Sequence, residues 1–322
     1  MTPPVSDHFN GKTFFYPGGK AQRGLIDVLR WKFTSRAASW PEWVEVAPQA
    51  LPSPASNGGV TATWVNHATF LLQTAHCNIL TDPVFSKRVS PVSWAGPARV
   101  HAPGVEFSAL PRIDAVLVSH DHYDHCDLPS LRRLAEAFQP LFIVPLGHGA
   151  LLKKIGATRV VELDWWQTYA RATEVTVTLT PARHWTRRTL RGTNRRLWGG
   201  FLVQAARCKL WFVGDSGYDQ RLFREIGRRW GAPDLALIPI GAYEPRWFMQ
   251  SAHMNPAEAV QAHLDVGAHQ SVGMHWGTFQ LTDEAREAPV QALKEARNAA
   301  DLTPLQFRVL APGESIQIQR AP

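Results

Sequence analysis

The pattern of hydrophobic and polar positions changes near residue 60 of the chain. From Thr61 onwards, short apolar runs of strand length alternate with stretches in which apolar residues recur at helical spacing. Before that point the sequence is irregular but rich in aromatic residues, which disordered tails lack. We therefore predict an N-terminal segment over residues 1–58 that wraps around a main domain over residues 59–322.

The predicted elements form two halves with a similar rhythm. Strands are expected at residues 61–65, 69–73, 78–81, 114–119, 141–144, 159–163, 174–180, 198–204, 209–213, 235–239, 271–274, 306–310 and 315–319. Helices are expected at residues 128–138, 148–155, 218–230, 256–266 and 283–299. Because each half has its own strands and helices, we predict an α/β fold, a four-layer αββα sandwich.

Composition places the chain among ordinary globular proteins, with 45% hydrophobic and 19% charged residues in a length of 322. No apolar run approaches the length of about 18 residues that spans a bilayer, and the first residues lack a secretory signal pattern. Cys77, Cys126 and Cys208 are odd in number and far apart, which indicates neither a disulfide framework nor a thiolate zinc site. We expect a cytoplasmic protein.

The net charge of +7 favours anionic partners, namely nucleic acid, anionic lipid surfaces or phosphorylated substrates. Charge alone does not choose among these three classes of partner.

The densest group of metal-binding residue types is the stretch from His120 to His125, directly after an apolar run of strand length. In an extended segment, side chains two residues apart point to the same side, so His120, His122 and Asp124 can converge. A turn into a helix that begins at Asp127 lets Asp124 and His125 address a second ion. Imidazoles and carboxylates without thiolates suit zinc first, and manganese or iron less readily. The alternative is a solvated, histidine-rich turn.

Further ligands are expected where other strands end. His184 follows the strand predicted at 174–180, Asp215 follows the one at 209–213, and His275 ends the one at 271–274. A single histidine at a strand end is more often a hydrogen-bonded or surface residue. The placement of all three after the histidine stretch favours a metal site with two ions.

The order of these elements resembles the metallo-β-lactamase superfamily, whose pattern is His-x-His-x-Asp-His, a distant His, an Asp and a last His. Within the superfamily, the chain is similar to N-acylphosphatidylethanolamine-hydrolysing phospholipase D and its bacterial relatives. The resemblance covers about residues 60–320. The stretches that carry it are Thr63-Trp64, His67-Ala68, Leu80 to Pro83, Val118 to His125, Glu162 to Trp166, His184-Trp185, Leu197 to Gly199, Gly214 to Tyr218, Ile238 to Met249 and His275 to Phe279.

The resemblance implies two Zn²⁺ ions, for which manganese or iron is the alternative. One ion would be held by His120, His122 and His184, the other by Asp124, His125 and His275, and Asp215 would bridge both. His67 and Asp82 would lie behind the ligands, where a carboxylate can fix the tautomer of a ligating histidine. A structural turn at Asp82-Pro83 is the alternative role for Asp82.

The implied activity is that of a binuclear zinc phosphodiesterase of phospholipase D type. It would hydrolyse N-acylphosphatidylethanolamine-like lipids to phosphatidic acid and N-acylethanolamine by attack of a hydroxide that bridges the metals. Asp124 and Asp215 are the expected catalytic residues, with Asp124 managing a proton. The candidate substrate contacts are Arg187, Arg188, Tyr243, Glu244, Arg246 and Trp247; the alternatives are a solvated loop for the arginines near His184, an ion pair for Glu244 and Arg246, and core packing for the aromatics.

Other functions and partners stay open. A lactone hydrolase or a nuclease on the same metal scaffold is one alternative, and a non-catalytic, metal-bound sensor is another. The expected partner is a phospholipid or another anionic phosphodiester; no RNA-binding module is recognisable, so no stable nucleic-acid partner is expected. Residues 24–33 have the pattern of a short amphipathic helix, suited either to peripheral contact with the inner face of a membrane or to docking on the sandwich. A homodimer is left open.

Overall fold

The computed structural model describes residues 4–19, 24–47, 49–55, 58–171, 175–189, 191–205 and 207–319. The helices are α1 (Leu25–Thr34), α2 (Leu128–Phe138), α3 (Gly149–Lys153), α4 (Gln220–Trp230), α5 (Arg246–Met249), α6 (Pro256–Val266) and α7 (Ala288–Ala299). The strands are β1 (Val60–Asn66), β2 (Thr69–Gln73), β3 (Asn78–Thr81), β4 (Ala115–Leu117), β5 (Leu141–Pro145), β6 (Val160–Leu163), β7 (Thr168–Arg171), β8 (Val175–Thr180), β9 (Gly200–Ala205), β10 (Cys208–Phe212), β11 (Leu235–Pro239), β12 (Gln270–Met274), β13 (Phe307–Val309) and β14 (Ser315–Ile318).

Two seven-stranded sheets share one internal plan. Their strand orders are β14-β1-β2-β3-β4-β5-β6 and β13-β12-β11-β10-β9-β8-β7. In the first sheet the strands from β14 to β3 pair antiparallel and those from β3 to β6 pair parallel. In the second sheet the strands from β7 to β10 pair antiparallel and those from β10 to β13 pair parallel. Helices flank both sheets, and the predicted α/β sandwich is confirmed.

The alternation of side chains along the strands divides the first sheet between two cores. Phe70 and Leu117 belong to the large core that includes the second sheet. Their neighbours Leu71 and Val116 belong to a second core, which contains Leu131 of α2. A shift in register by one residue would exchange the two cores, so this pattern fixes the pairing of the strands.

Some predicted elements differ from the structure. The helix predicted at 283–299 begins only at Ala288, because the side chains before it serve other contacts. The carboxylate of Asp283 accepts from the indole N–H of Trp31 and the hydroxyl of Ser35, and Glu284 accepts from the backbone N–H of Tyr243. Strand β7 and the single turn of α5 were not predicted; the strand predicted from Glu174 begins one residue outside the described residues.

The N-terminal segment lies against the sandwich through buried aromatic and polar contacts. Phe9 and Phe14 are buried in the large core, and Nε2 of His8 lies 2.7 Å from a carboxylate oxygen of Asp164. The indole of Trp40 donates to the carbonyl of Glu284. The domain boundary at residue 58 stays a prediction. None of the helices in the described ranges has the length and apolar content required to cross a bilayer.

Candidate metal centre

Six strand ends deliver polar side chains to one region of the sandwich. His67 follows β1, Asp82 follows β3, the stretch His120 to His125 follows β4, His184 follows β8, Asp215 follows β10, and His275 follows β12. Strands β1, β3 and β4 run in one direction within the first sheet, as do β8, β10 and β12 in the second. The carboxyl ends of three strands therefore lie at one edge of each sheet, and the backbone N–H of His275 donates to the carbonyl of His67 at 2.9 Å, which joins the two edges. Loops that follow such ends are where α/β folds commonly place functional groups.

The chain turns tightly after β4 and so divides the histidine stretch. The backbone N–H groups of His125 and Cys126 both donate to the carbonyl of His122, at 3.2 and 2.8 Å. As a result His120 and His122 join one group of ligand atoms, while Asp124 and His125 join another.

The first group combines His120, His122, His184 and Asp215, whose ligand atoms all lie within 4.8 Å of one another. Nδ1 of His122 lies 3.0 Å from Nε2 of His120 and 3.2 Å from Nε2 of His184. A carboxylate oxygen of Asp215 lies 3.8 Å from Nε2 of His120. Three imidazoles from both sheets therefore face one point beside a carboxylate.

The second group combines Asp124, His125, His275 and His67 within the same span of 4.8 Å. Nε2 of His275 lies 3.1 Å from Nε2 of His125 and 3.3 Å from a carboxylate oxygen of Asp124. Nε2 of His67 lies 3.1 Å from that same oxygen of Asp124. His67 thus reaches the second group through Asp124.

Asp215 joins the two groups. Its carboxylate oxygens lie 3.2 Å from Nε2 of His125, 3.2 Å from Nε2 of His275 and 3.7 Å from Nε2 of His184. The side chain is almost fully buried. A carboxylate in this position has the geometry expected of a bridging ligand.

The donor atoms fit metal ions. Nε2 of His122 is buried and has no hydrogen-bond partner among the described residues, which would cost about 1–3 kcal/mol without a further ligand. Imidazole nitrogens 3.0 to 3.2 Å apart either share a hydrogen or face a common cation, and their compact grouping with carboxylates is one that could hold a metal ion. The clusters are therefore able to bind metal. Nitrogen and carboxylate donors suit zinc, manganese and iron, so the ligand types do not fix the metal.

Burial keeps several imidazoles neutral. It lowers the pKa of His120 and of His184 well below the usual histidine value, and positively charged neighbours add to this effect for His120. Burial also lowers the pKa of His67 to about 3. A neutral imidazole offers a lone pair, which is the form that coordinates a metal.

The carboxylates beside these imidazoles are ionised. Burial acts to raise the pKa of Asp124 and of Asp215, but the adjacent histidines, with His125 first among them, together outweigh it, and both pKa values lie well below the usual range. Burial acts to lower the pKa of His275, and the nearby Asp215 and Asp124 outweigh it and raise that pKa to about 9. A metal ion that binds His275 therefore displaces a proton.

Asp82 supports one candidate ligand in each group. It is fully buried and accepts hydrogen bonds from the backbone N–H of Ser119 at 2.7 Å and from its hydroxyl at 2.5 Å. Nδ1 of His125 lies 2.6 Å from the same carboxylate, and the hydroxyl of Ser119 lies 2.9 Å from Nδ1 of His120. A carboxylate in this place fixes the orientation and tautomer of ligating histidines.

Several residues of the site adopt left-handed backbone conformations that side chains rarely tolerate. The φ angles are 44° at His67, 33° at Asp82, 62° at His275 and 59° at Ala242. Each costs about 1–3 kcal/mol and persists only when the surrounding structure imposes it. Such strain is concentrated at functional sites, which supports a functional role for this edge of the sandwich.

His253 was missed by the sequence reasoning. It lies in the loop after α5, forms a compact group with Asp215 and His275, and its Nδ1 is 3.9 Å from a carboxylate oxygen of Asp215. That nitrogen is buried without a hydrogen-bond partner in the described part of the chain. Burial lowers the pKa of His253 to about 4, so the imidazole is neutral. His253 does not follow the end of a strand, so the strand pattern did not indicate it. Its position shortly after the run from Ile238 to Met249 was the signal in the sequence that could have found it.

A cleft of about 260 Å³ opens over both ligand groups. Its walls are mainly apolar, formed by Val89, Tyr123, Trp185, Met249 and Leu281, and its floor includes four of the polar side chains described above. No lysine or arginine of the described residues lines it. Positive charge for an anionic substrate would therefore have to come from the metal centre.

The residues predicted to contact substrate do not line the described cleft. Arg188 donates to the carbonyls of Asp121 and Cys126 and lies over the ring of Tyr123. Arg246 pairs with Glu258 at 2.7 Å.

The other four predicted contacts have equally local surroundings. Arg187 is exposed, Tyr243 is buried, Glu244 accepts from the backbone N–H of Arg246, and Trp247 lies beneath Arg30. Among the described residues that line the cleft, none of the six predicted contacts occurs, and their contact with substrate stays a prediction.

Comparison with known proteins identifies the family. Residues 77–276 match the model of the beta-lactamase superfamily domain. An N-acyl-phosphatidylethanolamine-hydrolyzing phospholipase D 1 of Caenorhabditis elegans is 40% identical over 80% of this chain and 76% of its own length. An uncharacterized protein of Mycobacterium tuberculosis is 41% identical over 91% of this chain and 78% of its own length. A metallo hydrolase of Ignicoccus hospitalis has the same fold, with a TM-score of 0.61 and 20% identity over 82% of this chain and all of that one.

Fold, ligand clusters and sequence similarity agree. The chain belongs to the metallo-β-lactamase superfamily and is a metal-dependent hydrolase related to the N-acyl-phosphatidylethanolamine-hydrolysing phospholipases D.

Proposed function

We propose that the protein is a binuclear zinc phosphodiesterase that cleaves N-acylphosphatidylethanolamine-like lipids to phosphatidic acid and an N-acylethanolamine. The observation that carries the proposal is the position of Asp215 between two groups of histidines under an apolar cleft. The name of the C. elegans relative supplies the reaction.

The residues divide the work of holding two ions. His120, His122 and His184 would hold one ion, Asp124, His125 and His275 the other, and Asp215 would contact both. When bound, two such ions lower the pKa of water towards about 7 and offset negative charge at a phosphodiester. The protein fixes the positions of the ligands through Asp82 and Ser119, so the groups need little rearrangement on binding.

Asp124 is the carboxylate that we expect to manage a proton. It is ionised, it lines the cleft, and its side chain is more accessible than that of Asp215, at 13% against 1%. Nε2 of His67 lies 3.1 Å from it and keeps the carboxylate oriented. We expect Asp124 to accept a proton from the attacking water at one carboxylate oxygen and to return it to the oxygen of the departing N-acylethanolamine.

The cleft favours a lipid over a nucleic acid. Nucleic-acid sites combine a basic groove with aromatic stacking surfaces, because each bound nucleotide brings a charge. Here the walls are apolar, and the cleft has no basic lining residue in the described ranges. One phosphodiester charge can be met by the metal ions, and an acyl chain can pack against Val89, Met249 and Leu281.

Helix α1 supports contact with a membrane. Trp31 anchors the helix, since its indole donates to Asp283 and its ring packs 5.0 Å from that of Phe248. Ile26 and Phe33 are 82% and 86% exposed on the same helix. In the loop that contains the cleft residue Val89, Trp94 is 80% exposed. Exposed apolar groups near the cleft would place it at a lipid surface.

The reaction is tested by a side-by-side assay on N-acylphosphatidylethanolamine micelles, bis-nitrophenyl phosphate, a lactone and short RNA. We expect turnover of the lipid with release of phosphatidic acid, together with about two metal ions per chain by elemental analysis. Preference for the lactone or for RNA would replace the proposal with the corresponding hydrolase. Full activity without metal would remove the metal mechanism.

The membrane contact has its own test. Flotation with anionic vesicles should weaken in the double variant Ile26→Ser and Phe33→Ser, whereas Leu264→Ser with Leu305→Ser, which removes exposed apolar residues elsewhere, should bind like the parent protein. Equal binding of the vesicles by all three proteins would show that Ile26 and Phe33 of α1 do not contribute to membrane contact.

A further inference from the structure

A second cavity, of about 620 Å³, lies outside the metal cleft between the N-terminal segment and the loop that follows His184. Four of its ten lining residues are cations, Lys12, Arg191, Arg195 and Arg196, and none is an acid. We call it the basic cavity. Its volume is within the range of small-molecule sites, roughly 300–1,000 Å³.

The cations of the basic cavity have few acidic partners. For Lys12, Arg191 and Arg195, no ion pair with a carboxylate is present among the described residues. Arg196 pairs with the buried Asp121 at 2.8 Å, and its Nε is buried without a hydrogen-bond partner in the described part of the chain. Concentrated like charges repel one another, and an anion that enters the cavity relieves this repulsion.

The walls of the basic cavity are held in place. The backbone N–H of Phe14 donates to the carbonyl of Asn194 at 2.8 Å, which fastens the N-terminal segment to the loop. The carboxamide oxygen of Asn10 accepts from the backbone N–H groups of Lys12 and Thr13, which orders the turn that carries the lysine. The cations are therefore presented from two ordered segments.

The acid that contacts the backbone of the lining residue Gly147 already has partners. Glu162 accepts from the backbone N–H groups of Gly147 and Gly149 through one carboxylate oxygen, at 2.6 and 3.0 Å. It fixes the backbone of Gly147, which lines the cavity, and does not itself line it.

We propose that the basic cavity binds a small phosphate-bearing anion of two or more negative charges, a phosphomonoester or a pyrophosphate group. Guanidinium groups match phosphate oxygens through paired hydrogen bonds, and a ligand with a single negative charge would leave two of the three cations Lys12, Arg191 and Arg195 uncompensated. The four cations line one cavity of about 620 Å³, a size suited to a compact anion. The site goes beyond the proposed hydrolysis and does not depend on it.

The loop that lines the basic cavity also contacts the histidine stretch, through Arg196 and Arg188. Both side chains hold Asp121, which lies between the ligands His120 and His122. Asp121 and the loop that follows His184 are therefore fixed together. We therefore expect the bound anion to raise the unfolding temperature of the protein.

The test measures binding of inorganic pyrophosphate by calorimetry and by thermal shift. The double variant Arg191→Gln with Arg195→Gln should bind about tenfold or more weakly than the parent protein. The charge-matched control is Arg112→Gln with Arg132→Gln, both exposed and outside the cavity, and it should bind like the parent. Equal loss in the control, or no loss in the first variant, would overturn the proposal.

Two further arms separate other sources of binding. Asp215→Asn should keep pyrophosphate binding, because the basic cavity is separate from the metal centre; loss of binding in this variant would place the anion at the metals. Phosphatidylcholine vesicles with and without phosphatidic acid test a lipid source of the phosphate group. Binding of inorganic pyrophosphate, or of vesicles that contain phosphatidic acid, that is lost in the variant Arg191→Gln with Arg195→Gln supports the site, and binding only to long RNA refutes it.

Discussion

The two sheets contribute to the metal centre in different ways. The first sheet supplies four candidate ligands from one stretch, His120 to His125, whereas the second supplies His184, Asp215 and His275 from three separate strand ends. Each of the two ligand groups nevertheless combines residues of both sheets, and Asp215 of the second sheet lies near histidines of both. A dense sequence motif therefore supplies only part of a site that needs both sheets.

The largest expected effect comes from a change in Asp215, the side chain that joins the two ligand groups. Asp215→Asn should lower turnover by more than about 10²- to 10³-fold, because the amide cannot replace a shared anionic oxygen. Metal content should fall in parallel, as measured by elemental analysis. Unchanged activity in a variant with a normal circular-dichroism spectrum would take Asp215 out of the site.

The comparison of the two sheets is sharpened by two variants in the first ligand group, one of a residue from each sheet. His120→Ala and His184→Ala should each lose about one metal ion per chain and most activity, since both imidazoles face the same point. Elemental analysis and a lipid assay on the two proteins check this. A large loss in His120→Ala beside a normal His184→Ala would mean that the first sheet suffices.

A smaller effect is expected from a change in Asp82, which lies behind the candidate ligands. Asp82→Asn should weaken metal affinity by about 10–100-fold, because the amide no longer accepts equally from His125 and from Ser119. Chelator competition measures the affinity. The matched control Ser119→Ala removes only the hydroxyl contacts and should show a smaller loss; the reverse order would assign the support to Ser119.

The smallest of these effects concerns His253. This residue lies in the loop after α5 and does not follow the end of a strand. His253→Ala should lower kcat by about tenfold and leave metal content near that of the parent protein, because one imidazole near the reacting charge is lost while the candidate ligands remain. Steady-state kinetics with metal analysis separate the two outcomes. Loss of metal instead would make His253 a ligand.

Sequence reasoning predicted most elements of the fold because their patterns are local. Buried strands such as β5 and β11 are continuous apolar runs, and α6 begins with Asn255 and Pro256 and ends at Gly267, signals that lie within the element. The start of α7 was misplaced because Asp283 and Glu284 bind distant groups, and such contacts have no local signature.

The candidate site was predictable where residue types cluster or follow strands. The grouping of His120, His122 and His184, and of Asp124 with His125, is matched by the geometry, while ligation itself stays a prediction. The substrate contacts were chosen from charge and from the resemblance. Arg188 and Arg246 instead have partners within the protein, because a long cationic side chain binds whichever oxygen the fold brings near.

The sequence by itself determined the periodicities of the strands and helices, the turn after β4 and the chemical types of the ligands, because these depend on neighbours along the chain. Only the tertiary structure decided that His253 lies beside Asp215, that the cleft is apolar, and that Lys12 shares a cavity with Arg191 and Arg195. Those facts depend on which distant segments pack together, and packing is set by the whole core rather than by any local pattern.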